Sequence, residues 1–357
     1  MRVPFLDLAS ATEPLRAELD AALARSLDES LYVGGAAVAE FERAWADFCG
    51  VEHSVAVGSG TAALELALRG AGLGAGDEVL VPANTCVPTV AAIESSGATP
   101  VLVDAHPDTW TLDPDRLADA RSARTRAIVP VHLYGRGADL EAIGAFAREH
   151  ELVVVEDAAQ AHGLKGVAET SAAAAFSFYP TKNLGALGDA GAIVTNDDAV
   201  AAHARRLRSY GEDERYHSVE PGTNSRLDTM QAAVLLAKLG HLSAWNQRRR
   251  QLAARYHELL VDLPLELPAW DDGSVWHLYV VRVADREAFR AALRAGGIGT
   301  AVHYPRAIHQ HPAYARLGRD LPVAEALARE VVSLPLHPEL RDAEQDAVVD
   351  AIRAWAA

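Results

Sequence analysis

Cysteine is nearly absent from this chain of 357 residues. Only Cys49 and Cys86 occur, which allows one disulfide at most and excludes a disulfide scaffold. No apolar run approaches the roughly 18 residues that a membrane-crossing helix needs, so no membrane partner is expected. Met1-Arg2-Val3-Pro4 carries no signal-peptide pattern, and a reducing, cytoplasmic setting is the expectation. Basic residues are outnumbered, 33 against 49 acidic ones, for a formal net charge of -16. That balance argues against nucleic acid or an anionic membrane as the main partner, although a phosphorylated small ligand needs only a local pocket of donors. A dinucleotide fingerprint is missing too. Gly70-Ala71-Gly72-Leu73-Gly74-Ala75-Gly76 lacks the third-glycine spacing, follows a helix and precedes a strand, so it reads as a helix C-cap and turn. A nicotinamide dehydrogenase is disfavoured on that ground.

Half the residues are apolar, enough for a substantial core and for two domains. Strand-like runs alternate with helical segments through the first two-thirds. Strands are expected at His53–Val57, Glu78–Val81, Pro100–Val103, Ala127–Leu133, Leu152–Val155 and Ala192–Thr195. Between them lie helical stretches such as Ala62–Arg69, Thr89–Ser95 and Asp139–His150. Runs apolar on both faces in this order predict an α/β fold with a mostly parallel central sheet between helices. A long helical stretch follows from Leu227 to Leu263, interrupted at Gly240. Then come a strand at Val275–Val283, a helix at Arg286–Ala295 and a closing helix after Pro338. The sequence thus divides into a large domain, 1–240, and a smaller α+β domain, 241–357.

Three places carry chemistry. Phe176-Ser177-Phe178-Tyr179-Pro180-Thr181-Lys182-Asn183-Leu184-Gly185 sets a lysine just past a strand end, with no acidic neighbour within four residues. A lysine in a partly dry site loses its proton more easily, and the neutral amine can attack a carbonyl to form a Schiff base; otherwise it is a surface lysine. Gly58-Ser59-Gly60-Thr61 joins a strand to a helix start, whose free N–H groups suit a phosphate or simple capping. Val153-Val154-Val155-Glu156-Asp157 puts carboxylates at the C-terminal end of a buried strand, the edge at which open α/β sheets bind ligands. One of them could hold a pyridinium nitrogen protonated, or both could cap a following helix.

Together these elements resemble the sugar aminotransferases of the DegT/DnrJ/EryC1/StrS family, which use pyridoxal phosphate in the aspartate-aminotransferase fold, fold type I. The resemblance runs from Pro4-Phe5-Leu6-Asp7-Leu8 through Val129-Pro130-Val131-His132-Leu133-Tyr134-Gly135 and Glu156-Asp157-Ala158-Ala159-Gln160-Ala161-His162-Gly163. It continues through the lysine segment to Gly188-Asp189-Ala190-Gly191-Ala192, then Thr223-Asn224-Ser225-Arg226-Leu227-Asp228 and His303-Tyr304-Pro305. It implies that Lys182 forms the Schiff base and moves the proton, Asp157 pairs with the pyridine nitrogen, and Gln160 lies near the phenolic oxygen. Gly60, Thr61 and Ser177 would bind the phosphate, and Asn224 would reach it from the neighbouring subunit of a homodimer with shared sites. Cys86 stands where the family often stacks an aromatic ring on the cofactor, and a thiol is a weaker stacking partner. The segment Leu164–Ala175 is shorter than is usual there.

The reading that follows is a cytoplasmic aminotransferase. It would move an amino group, with glutamate the expected donor, onto the C3 or C4 ketone of a nucleotide-linked keto-sugar, with dTDP the expected nucleotide. A ketocyclitol aminotransferase and a non-catalytic cofactor-binding regulator are the alternatives. A dehydratase of the same family is disfavoured by Lys182, where those relatives carry histidine. His303 and Tyr304 are candidates for the substrate mouth. His309-Gln310-His311 reads as a loop pair, so no metal site is expected. Arg248-Arg249-Arg250 reads as a solvated or intersubunit helix face, and Trp276 and Tyr279 as core.

Overall fold

The computed structural model describes residues 2–357. Its central sheet has seven strands: β1 His53–Val57, β2 Glu78–Pro82, β3 Thr99–Val103, β4 Thr125–Ile128, β5 Val153–Asp157, β6 Ala173–Ser177 and β7 Gly191–Thr195. Their spatial order is β1-β7-β6-β5-β4-β2-β3. Strands β2 to β6 pair in parallel, and β7 runs antiparallel to both its neighbours, β1 and β6. The sheet is therefore mostly parallel, as expected, with one reversed strand. Successive side chains point to opposite faces, and both faces are covered. Val55, Val57, Val79 and Ile193 pack with Leu64 and Leu68 of the helix Gly60–Gly70, while Ala56, Ala174 and Val194 pack with Phe41, Trp45 and Phe178.

Two predicted strands end elsewhere than expected, and the long helical stretch breaks where expected. The strand expected at Ala127–Leu133 stops at Ile128, because Pro130 has no N–H for the ladder and the chain turns through Tyr134 at φ 63°. The long helical stretch is two helices, Thr229–Leu239 and Leu242–Leu260, parted at Gly240. The strand expected at Val275–Val283 is regular only over Tyr279–Arg282, where it pairs antiparallel with Val331–Leu334. The arginine run also differs from its reading. Arg249 is buried, and its Nη1 donates to the carbonyls of Trp276, His277 and Leu336. Arg248 pairs with Asp342 at 2.8 Å.

The C-terminal core gathers Leu252, Tyr256, Trp276, Tyr279, Phe289 and Ile352, each large side chain contributing about 1.5–3 kcal/mol by burial. Val3 belongs to the same core, since its N–H donates to the Gly297 carbonyl at 3.0 Å and its carbonyl accepts from Gly299 at 2.8 Å. The start of the chain is thereby tied to its last third. Among the described residues no helix is long and apolar enough to cross a membrane.

Candidate active site

A cavity of about 430 Å³ opens at the carboxyl ends of β5 and β6. Its walls bring together Gly60, Thr61, Cys86, Asp157, Gln160, Ser177, Lys182, His303 and Tyr304, nine residues singled out from the sequence. Asn224 is not among its lining residues. It is exposed on a segment bridged to Ser209, and its Oδ1 accepts from Arg226.

Strand alternation separates the two adjacent carboxylates. Glu156 turns away from the cavity and is fully buried against His132, whereas Asp157 lines the cavity. No helix follows Asp157; the chain proceeds through turns to β6, so helix capping is not its task. Its Oδ1 accepts from the Ala159 N–H at 3.0 Å and its Oδ2 from Thr89 Oγ1 at 2.8 Å. Thr89 has one proton and donates it to the carboxylate, so the 2.8 Å contact with Thr85 Oγ1 must be a donation from Thr85. Two buried threonines thus form a relay that fixes the carboxylate and leaves it further acceptor capacity. Sequence reasoning missed both. The Thr-x-x-x-Thr spacing at the start of the helix Val87–Ser95 was the available signal.

Ser59 caps the helix Gly60–Gly70 by accepting from the Ala62 N–H at 3.2 Å, which leaves the first turn's remaining N–H groups for an anion. Only glycine allows that turn to sit where it does. A Cβ on Gly60 would lie 2.4 Å from Ser177 Cβ, so the missing side chain is what brings the helix start against the end of β6.

Lys182 lies in the turn after β6, with its N–H donating to the Tyr179 carbonyl at 2.9 Å. A Cβ on Gly185 would lie 2.4 Å from the Pro180 carbonyl oxygen, so this turn also closes through a glycine. The residue is half-buried and lines the cavity, and the ammonium itself is deep in the molecule. Burial pushes its pKa down, against the opposing pull of Asp157 and Cys86. Burial also pushes the Cys86 thiol up and keeps it neutral, at the N-terminal end of Val87–Ser95.

Gln160 is held at both ends of its amide. Its Oε1 accepts from the Tyr134 N–H at 2.6 Å, and its Nε2 donates to the Tyr304 hydroxyl at 3.1 Å. Burial above all holds the Tyr304 hydroxyl well above its ordinary pKa, so it stays a phenol. His303 contacts Ser333 Oγ through Nδ1 at 2.7 Å, and its carbonyl accepts from the Tyr134 hydroxyl. His303 falls to about 4 and His162, beneath Ser177, to about 3, both mainly through burial. His309, outside the cavity, meets Glu325 at 2.9 Å. Trp276 and Tyr279 are core, as expected.

An enclosed lysine, a fixed strand-end carboxylate and a helix N-terminus around one cavity define a site of the pyridoxal-phosphate transferase class. The residues fit that group: donors for a phosphate at the Gly60 cradle, an acceptor for a ring N–H at Asp157, and an amine at Lys182. Residues 14–353 match the model of the DegT/DnrJ/EryC1/StrS aminotransferase family, and the chain belongs to that family. It is 50% identical over 365 residues to the dTDP-3-amino-3,4,6-trideoxy-alpha-D-glucose transaminase of Streptomyces venezuelae, covering 99% of this chain and 96% of that one. It is 47% identical over 367 residues to the erythromycin biosynthesis sensory transduction protein EryC1 of Saccharopolyspora erythraea, covering 100% of both. The crystal structure of S. venezuelae DesV in complex with a ketimine intermediate superposes with a TM-score of 0.96 at 49% identity, covering 99% of this chain and 98% of that one.

Proposed function

We propose that this protein is a pyridoxal-phosphate aminotransferase that places an amino group, with glutamate as donor, on the C3 ketone of a dTDP-linked keto-sugar. The observation that carries the reading is that one cavity joins Lys182 to the Asp157 carboxylate, in a chain similar throughout its length to a dTDP-3-amino-sugar transaminase. When bound, pyridoxal phosphate supplies the electron sink for the carbanion chemistry. Gly60, Thr61 and Ser177 would hold its phosphate, Asp157 would keep its ring nitrogen protonated, and Gln160 would face its phenolic oxygen. Lys182 would supply the amine that holds the cofactor and the base that moves a proton; its lowered pKa suits an amine that must work as a base. His303 and Tyr304 border the sugar. Because EryC1 is named for sensory transduction, a regulator that binds cofactor without turnover is the second reading. The pyridoxamine-phosphate form, incubated with nucleotide keto-sugars and ketocyclitols, separates the readings by absorbance. A dTDP-3-keto-sugar should restore the aldehyde form; restoration by ketocyclitols alone, or by nothing, would sink this assignment.

The same reading includes a cytoplasmic homodimer with shared sites. Leu27, Leu31, Tyr32 and Val33 leave between 43% and 53% of their surface exposed, an apolar patch suited to a second copy. Asn224 would then serve the partner's phosphate. Mixing Lys182→Ala with Asn224→Ala subunits gives one doubly impaired and one intact site under sharing, so verified heterodimers should recover about half the activity. Activity no higher than that of the parents would show each site to be built from one chain.

A further inference from the structure

Asn246 is buried on the helix Leu242–Leu260 and stands behind the cavity wall rather than in it. Its amide joins two segments that carry lining residues. Oδ1 accepts from Asn183 Nδ2 at 2.9 Å, and Nδ2 donates to the His162 carbonyl at 2.7 Å. A carbonyl only accepts, so that second contact fixes which way the Asn246 amide faces. A Cβ on Gly163, at φ 96°, would lie 2.7 Å from Asn246 Nδ2. The amide therefore reaches the His162 carbonyl because the next residue is glycine.

Each arm of that amide ends at the site. On one side is Asn183, the residue after Lys182, which makes two further bonds. Its Nδ2 donates to the Val275 carbonyl at 3.0 Å, and its Oδ1 accepts from His277 Nδ1 at 3.0 Å. The turn that carries Lys182 is thus hung from segments far along the chain. On the other side, His162 Nε2 donates to the Ser177 carbonyl at 2.8 Å, and Ser177 is the residue against which the Gly60 turn seats. We propose that Asn246 is a positioning residue for both ends of the cofactor seat. Through Asn183 it sets the Lys182 turn, and through His162 it sets Ser177 and the helix start beside it. Removing the amide strands a buried donor and a buried carbonyl at once, and both arms slacken. The inference rests on Lys182 being the lysine of the site and on the Gly60 turn and Ser177 being its phosphate cradle.

Titrating cofactor-free protein with two forms of the cofactor separates the arms. Pyridoxal phosphate needs the lysine amine for tight binding, and pyridoxamine phosphate does not. Asn183→Leu should weaken pyridoxal phosphate about fivefold or more and leave pyridoxamine phosphate within about twofold. His162→Phe keeps a ring against Trp45, Phe176 and Phe178 and removes the donor to Ser177, so it should weaken both forms by the same factor. Asn246→Leu should weaken both, pyridoxal phosphate by the larger factor. Folded Asn246→Leu protein that binds both forms as wild type does, with only its urea midpoint lowered, overturns the proposal. So does an Asn183→Leu protein that weakens both forms equally. If Asn246→Leu does not fold, the two arm variants decide, since the split must appear in Asn183→Leu and be absent from His162→Phe. Borohydride labelling of a lysine other than Lys182, or pyridoxamine bound as tightly as its phosphate, would instead sink the reading of the site.

Discussion

The two faces of the sheet at the end of β5 carry neighbouring carboxylates with opposite fates. Glu156 takes three donors from its own chain: Oε2 takes the His132 Nε2–H at 2.7 Å, and Oε1 takes the Ala168 N–H at 2.9 Å and the Ser171 hydroxyl. His132 must donate from Nε2, because its Nδ1 accepts from the Ala138 N–H. Asp157 receives one donor on each oxygen and turns its remaining capacity toward the cavity. Burial alone does not mark a functional carboxylate. What separates the two is whether the fold has already used the acceptor sites.

The strongest test of that contrast is on the cavity face. Lys182→Ala should lower turnover by about four orders of magnitude or more, roughly 5 kcal/mol in the barrier, with little change in thermal midpoint. A stability loss with retained turnover would put Lys182 on the structural side. Next come the carboxylates themselves. Asp157→Asn should cost about a hundredfold in turnover, near 3 kcal/mol, while the urea midpoint stays close to wild type. Glu156→Gln should do the reverse, because its amide N–H₂ meets groups that are themselves donors. It should lose about 2 kcal/mol in urea unfolding and keep its turnover per folded molecule. If both variants lose the same property, the two faces are not separate.

Acid should act through the buried histidines. His162 and His303 are held down to about 3 and about 4, so below the ordinary value near 6.5 the unfolded chain binds protons that the folded chain refuses. Stability should fall as pH drops from about 6.5 toward 4, by at most about 1.4 kcal/mol per pH unit for each histidine. Midpoints that rise on acidification in that window would contradict the burial of these rings. The smallest effect belongs to Thr89→Val, which keeps the shape and removes the donor to Asp157. Cofactor affinity should weaken by about 1 kcal/mol, a few-fold in titration. An unchanged titration would make the threonine relay mere packing.

What the sequence disclosed and what it hid divide along the same physical line. Lys182 and Asp157 were legible because local pattern defines them: a strand end, a proline, a turn without acidic neighbours. The Gly60 turn was legible as a helix start. The Thr89 contact spans 68 positions and the His277 contact with Asn183 spans 94, so no local periodicity encodes either. Arg249 misled because a run of arginines on a polar helix reads as solvated, whereas two distant segments supply three carbonyls to its guanidinium. The reversal of β7 was equally hidden, since an apolar run carries no direction. Asn224 was named only through family resemblance, and its own chain keeps it out of the cavity.

The place of β7 also sets a schedule for synthesis. β1 pairs with β7 alone, so a strand finished at Val57 has no ladder until Gly191–Thr195 has been made. At about 5–20 residues per second, β1 waits on the order of 10 s for its partner. Closure is then tight, because a Cβ on Gly191 would lie 2.3 Å from the Ser59 carbonyl oxygen. A nascent chain shorter than this presents an unpaired apolar edge to chaperones and to its neighbours, with no anion cradle that a cofactor could brace. The Gly60 turn therefore gains its tight seat against β7 only once Gly191 has been made.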